Sequence, residues 1–278
     1  MSSVLDALNG RRDARRTCSP RLAVQWCAES PAHAGLLELW RLRRVRGWVD
    51  MKGYVVCTTA RTGSTLLCEA AIRTGVLGRP FEFFNPSRTR DAHWPAYTPD
   101  IQQQIAHITE FGATSNGVYA LKILPYQFDL VQYYHWADVL PQLQFIYLER
   151  RDLLGQAISY VRAEQTGVWN QHDPVQGQQE FNIESIREAM KVILRQKNRW
   201  ELYFSVNNIA PLRLYYEDIY HDILPPLCRI GEVLRVPIPE TIEQEQLQSI
   251  DPQRDHITAD WRQMFLERSR DLSRLPTL

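Results

Sequence analysis

The segment YVVCTTARTGSTLLCEAAIRTG, Tyr54 to Gly75, changes character twice. It begins as an apolar run suited to a buried strand. It passes through small and polar residues carrying one arginine, then resumes apolar spacing at helical period. A strand that turns through such residues into a helix aims several backbone N–H groups, and the helix N-terminus behind them, at one point. That point is an anion site. Gly63 permits close approach, Ser64 and Thr65 bring hydroxyls to the helix start, and Arg61 brings charge.

Against the nucleotide-triphosphatase pattern G-x-x-x-x-G-K-[ST], Gly63 and Thr65 match, but Ser64 stands at the lysine and Thr58 at the first glycine. A triphosphate with magnesium also calls for an acidic residue after an apolar strand. Glu149 ends such a strand, but Arg150 and Arg151 follow it directly. Taken alone, the segment also fits an ordinary serine–threonine helix cap.

Outward from this segment, strand and helix patterns alternate. Residues 53–58, GVYALKIL (117–124), LQFIYLER (143–150) and PLRLYYE (211–217) read as strands. Helices are predicted at about 64–75, after Pro125, at 152–167, over the long amphipathic stretch 182–208, and up to about 234. Short apolar strands alternating with helices indicate a parallel sheet covered on both faces. The predicted fold is therefore α/β, a three-layer P-loop-type parallel sheet flanked by helices, occupying residues 51–278. Residues 1–50 differ: they hold nine arginines, no lysine and five acidic residues. They are read as an N-terminal extension, weakly ordered or one helix (AHAGLLELWRLRRVRGW), with Met51 a candidate natural start.

Bulk properties narrow the function. Formal net charge is zero over 278 residues, which argues against a general nucleic-acid binder. No apolar run reaches the roughly 18 residues of a membrane helix. The five cysteines (Cys18, Cys27, Cys57, Cys68, Cys228) lack zinc-ligand or redox spacing. With no secretory apolar core near the N-terminus, a cytoplasmic location with reduced thiols is expected. No metal site is expected.

Arg150 and Arg151 lie at the carboxyl end of the third strand, with Ser159 two turns into the next helix. Ligands of doubly wound sheets bind at strand carboxyl ends. Arg150 and Ser159 therefore form a second phosphate-competent element in the same sheet.

Four pieces in order, ARTGSTLL, TGVLGRPFEFF, ALKIL and RRDLLGQAISYVRAEQTGVW, resemble the bacterial trehalose 2-sulfotransferase family of the sulfotransferase superfamily. The similarity runs from about Lys52 to Arg270. It implies 3′-phosphoadenosine 5′-phosphosulfate as co-substrate, transfer of its sulfuryl group to a sugar or glycolipid hydroxyl, and a tendency to form homodimers. By this resemblance Arg61, Thr62, Gly63, Ser64 and Thr65 bind the 5′-phosphosulfate. Arg150 and Ser159 hold the 3′-phosphate, Arg151 being the alternative arginine, and Arg254 in QRDHITADWRQMF closes over the nucleotide. Sulfuryl transfer moves less negative charge than phosphoryl transfer, so fixed N–H donors, hydroxyls and arginine suffice without a metal clamp.

A hydroxyl acceptor needs a base. Glu82 lies among Pro80, Phe81, Phe83 and Phe84, apolar neighbours that would raise a carboxylate's pKa towards the working pH. The resemblance assigns Glu82 the same role. Lys122 ends the second strand and is placed to touch the sulfuryl group or the acceptor. Arg79, where the trehalose enzymes carry a carboxylate, suggests a different, anionic acceptor. Trp94, Trp136 and Trp169 are candidates to stack on a sugar ring, and Phe84 joins Arg79, Lys122 and Trp169 as a candidate acceptor contact. The scattered histidines are read as surface or structural. The rival readings are an atypical P-loop kinase and a non-catalytic nucleotide-binding scaffold of the same fold.

Overall fold

Alternation within β1 (Lys52–Thr58) sends Tyr54 and Val56 to one face of a sheet and Val55 and Cys57 to the other. All four side chains are buried, so helices must cover both faces. The computed structural model describes residues 50–87, 95–169, 173–239 and 256–271. In chain order it contains β1, α1 (Ser64–Arg73), α2 (Ile101–Phe111), β2 (Val118–Ile123), α3 (Pro125–Val131) and α4 (Trp136–Val139). It continues with β3 (Leu143–Glu149), α5 (Leu153–Thr166), α6 (Ile183–Val206), β4 (Leu212–Tyr215), α7 (Tyr216–His221), α8 (Leu224–Leu234) and α9 (His256–Ser269).

The strands pair in the order β2-β1-β3-β4, and every pairing is parallel. Val55 lies opposite Leu121 on one side and Phe145 on the other. One face packs Val55, Leu121 and Tyr147 against Phe84, Ile105, Trp136 and Trp200, from the Glu82 loop, α2, α4 and α6. The other face packs Val56, Ala120 and Leu148 against Leu67, Ala70, Ile219 and Ile230, from α1, α7 and α8. A third cluster joins α5, α6 and α9 through Ile158, Ile193 and Trp261. The three-layer α/β fold expected from the sequence is the one observed.

Several elements depart from the sequence reading, the unanticipated α4 and α9 among them. The fourth strand is only Leu212–Tyr215, because the chain turns helical at Tyr216. The α2 helix was not anticipated. Asp100 caps it by accepting from the N–H groups of Gln102 and Gln103 at 2.9 and 3.2 Å. Its Ile105 and Ile108 are fully buried. An Asp followed by apolar residues three apart is a helix-start signal that was present in the sequence.

Residues 1–49, Trp94 and Arg254 lie outside the described residues, so the readings placed on them do too. Cys57, Cys68 and Cys228 are free thiols. No described helix is long and apolar enough to cross a membrane.

Candidate active site

The end of β1 is tied down before its loop begins. Thr58 Oγ1 donates to the Leu148 carbonyl at 3.0 Å and shares a hydrogen bond with Thr62 Oγ1 at 2.5 Å. Thr62 Oγ1 also reaches the Thr59 carbonyl at 3.1 Å. The Thr62 side chain is thus completely buried and serves the loop's own geometry. From α5, Gln156 Nε2 donates to Thr59 Oγ1 at 2.8 Å and to the Ala60 carbonyl at 2.7 Å. Trp200 Nε1 donates to the Thr58 carbonyl at 2.9 Å. The loop is rigid because three other elements hold it.

Arg61 and Gly63 both take left-handed backbone conformations, with φ of 64° and 74°. That costs a non-glycine residue about 1–2 kcal/mol, which marks Arg61 as an imposed conformation. At Gly63 a β-carbon would also strike the Tyr216 ring. Gly63 is the N-cap residue of α1, and no side chain caps that helix. The cap reading of Ser64 and Thr65 therefore fails: both lie inside the first turn, beside N–H groups that have no intrahelical partner.

Strand β3 delivers Arg150 to the same place. The residue is 6% exposed, and its guanidinium lies 4.5 Å from the centre of the Tyr216 ring and donates to the Arg61 carbonyl at 3.4 Å. Lys197 from α6 fixes the backbone by donating to the Arg150 carbonyl at 2.7 Å. Arg151 goes elsewhere, making a bidentate pair with Asp218 at 2.7 and 2.9 Å and stacking on Tyr215. Of the two adjacent arginines, Arg150 is the one against the loop.

Arg61 Nε donates to Ser159 Oγ at 2.9 Å, and Arg61 Nη1 donates to the Trp169 carbonyl at 2.6 Å. The loop arginine, the α5 serine and the segment after α5 are thus one hydrogen-bonded chain. Burial, then the charges of Arg150 and Arg162, lower the Arg61 pKa to about 10. Three cations crowded at one loop repel one another, and an anion placed among them removes that cost.

Sequence reasoning missed Arg162, Asp152, Arg262 and Gln156. Asp152 caps α5 by accepting from Gly155 N–H at 3.0 Å. It also accepts from Arg262 of α9 and lies 3.8 Å from Arg150. Those contacts hold the Asp152 carboxyl below its ordinary range, although burial pushes the other way. Arg162 donates to Gln179 at 2.7 Å and to Thr258 of α9 at 2.5 Å. The C-terminal helix therefore buttresses the cationic cluster through Arg262 and Thr258. Gln156 was detectable, since it precedes Ser159 by three residues and so shares its helix face.

The second half of the site lies around Glu82. Lys122 Nζ is 2.7 Å from Glu82 Oε1. Glu82 Oε2 accepts from Asn85 Nδ2 and from Gln127 Nε2, both at 2.8 Å. Gln127 is completely buried, and its own Oε1 accepts from the Leu124 N–H at 3.0 Å. The Glu82 carboxylate is met by polar partners, not by the apolar side chains that flank it in the sequence. Phe83 and Phe84 are core residues, Phe84 packing on Trp136 with centroids 5.2 Å apart. Phe84 and Trp136 are thus closed off from any ligand. Lys122, Asn85 and Gln127 instead hold Glu82 as an oriented carboxylate.

Arg79 is also accounted for. Its Nη1 donates to the carbonyls of Ala113 and Phe111 at 2.7 and 3.3 Å, and its N–H donates to Gly112 at 2.7 Å. It caps the carboxyl end of α2, where a cation is favourable. Trp169 is 40% exposed, beside Arg61. Among the described residues, no group of three or more histidine, cysteine, aspartate or glutamate side chains could hold a metal.

Residues 53–268 match the model of the Stf0 sulphotransferase family. The trehalose 2-sulfotransferase of Mycobacterium tuberculosis is 29% identical over 62% of this chain and 80% of that protein. The trehalose 2-sulfotransferase of Mycolicibacterium smegmatis is 25% identical over 65% of this chain and 83% of that protein. A crystal structure of retinol dehydratase with retinol and PAP aligns at a TM-score of 0.38 and 14% identity, covering 87% of this chain and 88% of that one. That likeness is too slight to bear on either fold or function.

Proposed function

The chain belongs to the Stf0 sulphotransferase family, and we propose that it moves a sulfuryl group from 3′-phosphoadenosine 5′-phosphosulfate to a hydroxyl of a carbohydrate or glycolipid. The observation that carries this reading is the hydrogen bond of Arg61 Nε to Ser159 Oγ. It brings the loop after β1 and the helix after β3 to one point, with Arg150 beside them. A donor with two separated anionic groups suits two such elements. Backbone N–H groups of Gly63, Ser64 and Thr65, with the two hydroxyls, would hold the 5′ end. Arg150 and Ser159 would hold the 3′-phosphate.

In the proposed reaction the acceptor oxygen bonds to sulfur as the bond from sulfur to the phosphate oxygen breaks. The hydroxyl proton passes to Glu82, and the electron pair of the broken bond stays on the phosphate, releasing 3′-phosphoadenosine 5′-phosphate. Arg61 and the α1 N-terminus neutralise that oxygen. Lys122 keeps Glu82 aimed between turnovers, and its ammonium is within reach of the transferring group. Support for a sugar acceptor comes from the two trehalose 2-sulfotransferases at 25–29% identity.

The test has two steps. Calorimetry should find 3′-phosphoadenosine 5′-phosphate bound tightly without magnesium and ADP bound weakly with or without it. Transfer of radiolabelled sulfate from the donor to a panel of sugars and glycolipids should then give labelled product. Magnesium-dependent binding of ADP in preference would refute the donor, and binding without transfer would leave a nucleotide-binding scaffold.

A further inference from the structure

Two adjacent arginines follow β3, and their side chains leave in different directions, Arg150 towards the loop after β1 and Arg151 towards Asp218. The peptide unit that joins them is gripped at both ends. Its carbonyl, that of Arg150, accepts from Lys197 Nζ at 2.7 Å. Its N–H, that of Arg151, donates to Glu217 Oε2 at 3.2 Å. Glu217 Oε1 takes the next N–H, that of Asp152, at 3.1 Å. Lys197 comes from α6 and Glu217 from α7, so elements packed on opposite faces of the sheet close on one peptide plane. A cation on the oxygen and a carboxylate on the N–H both follow the peptide's own dipole. The sheet itself does not hold this segment, since β3 ends at Glu149 and α5 begins at Leu153.

We propose that Lys197 and Glu217 are positioning residues for the donor site: by clamping the peptide between Arg150 and Arg151 they direct Arg150, and not Arg151, to the nucleotide's 3′-phosphate. The inference rests on the donor reading of the same site. A peptide plane turns only about the two soft torsions beside it. Fixing this one constrains ψ of Arg150 and φ of Arg151, which decide the direction in which each side chain leaves. Charge-assisted hydrogen bonds are about twice as strong as neutral ones, so the clamp resists the pull of Asp218 on the neighbouring guanidinium. Lysine suits its part, because a compact ammonium meets a single carbonyl where arginine's planar fork is shaped for two oxygens. Burial lowers the Lys197 pKa, and the charges of Glu149 and Glu217 oppose that shift. One half of the clamp thereby supports the charge on the other.

The experiment uses the full chain and two probes, 3′-phosphoadenosine 5′-phosphate and adenosine 5′-phosphate, which lacks only the 3′-phosphate. Calorimetry gives the Kd of each. Wild type should prefer the first. Lys197→Met and Glu217→Gln should each reduce that preference about tenfold, the low end of what losing a charged hydrogen bond costs. The Kd for adenosine 5′-phosphate should stay within about twofold of wild type. In an Arg150→Ala background the same substitutions should move neither Kd further, because a positioning residue then has nothing left to position. Equal weakening of both nucleotides overturns the inference, since it marks a structural role alone. So does a lower thermal midpoint with the preference intact, or an undiminished effect in the Arg150→Ala background. A wild type that binds both nucleotides equally overturns the donor reading, and this inference with it. Both positions are half-buried, and should one variant fail to fold, the other carries the test.

Discussion

The two halves of the site are built on opposite electrostatic principles. The donor half gathers Arg61, Arg150 and Arg162 around an uncapped helix start, with the Asp152 and Asp173 carboxylates beside them. Charge there is in excess, and burial makes the excess costly. The acceptor half is balanced: Glu82 is met by one ammonium and two amides, in hydrogen-bond geometry throughout. The first half gains when an anion arrives. The second spends its interactions on itself and holds a single carboxylate in one orientation. Binding and chemistry are thereby separable, which is a claim that substitutions can break.

The largest expected effect is at the base. Glu82→Gln keeps the shape but cannot take the proton, and turnover should fall by about 10²–10⁴-fold. The affinity for 3′-phosphoadenosine 5′-phosphate, read by calorimetry, should not move. A parallel loss of nucleotide binding would show that the halves are not independent. Next is Arg150→Ala, which removes a charged donor from the loop. Losing such a hydrogen bond costs about 1.5–3 kcal/mol, so nucleotide Kd should rise roughly 10–150-fold. Arg151→Ala, whose partners are Asp218 and Tyr215, should leave Kd nearly unchanged. Equal effects from the two would erase the assignment made from their opposite directions.

Gly63→Ala tests the donor half through its backbone. The left-handed conformation alone costs about 1–2 kcal/mol, and the Tyr216 ring must also shift. A lower thermal midpoint together with weaker nucleotide binding is expected. Because Arg150 stacks on the same ring, the two effects should appear together. A stability loss with unaltered binding would detach Tyr216 from the site.

The same division explains what could be read before any coordinates. The donor half is nearly contiguous, and Arg61 to Thr65 advertise it by composition, since a strand, small residues and a helix in a row admit few conformations. Arg150 and Ser159 follow from where a parallel strand ends. Alternating strand and helix patterns likewise specified the three-layer sheet. The acceptor half is assembled from Glu82, Asn85, Lys122 and Gln127, which no spacing rule connects. Glu82 was found beside phenylalanines in sequence, yet neighbours in sequence are not neighbours of its carboxylate. Phe84 goes to the core while Lys122 comes across from β2. Gln127 gave no signal, being a glutamine in the first turn of a short helix. Its meaning depends on the Leu124 N–H that fixes which end of the amide faces Glu82.

The smallest effect should be at Arg79, and it separates two accounts of one residue. If its charge selects the acceptor, Arg79→Ala changes the order in which neutral and anionic sugars are used. The geometry gives it another task, since its guanidinium and N–H meet three carbonyls at the end of α2. A cation at a helix carboxyl end contributes about 0.3–1 kcal/mol at an exposed position. The expected outcome is therefore a drop of a few degrees in thermal midpoint, with acceptor preference and nucleotide affinity unaltered. Arg79→Lys should recover part of the stability through its charge. Arg79→Glu should lose more than alanine does, because a carboxylate there faces carbonyl oxygens. A changed acceptor preference in Arg79→Ala, with stability intact, would return this arginine to the acceptor half.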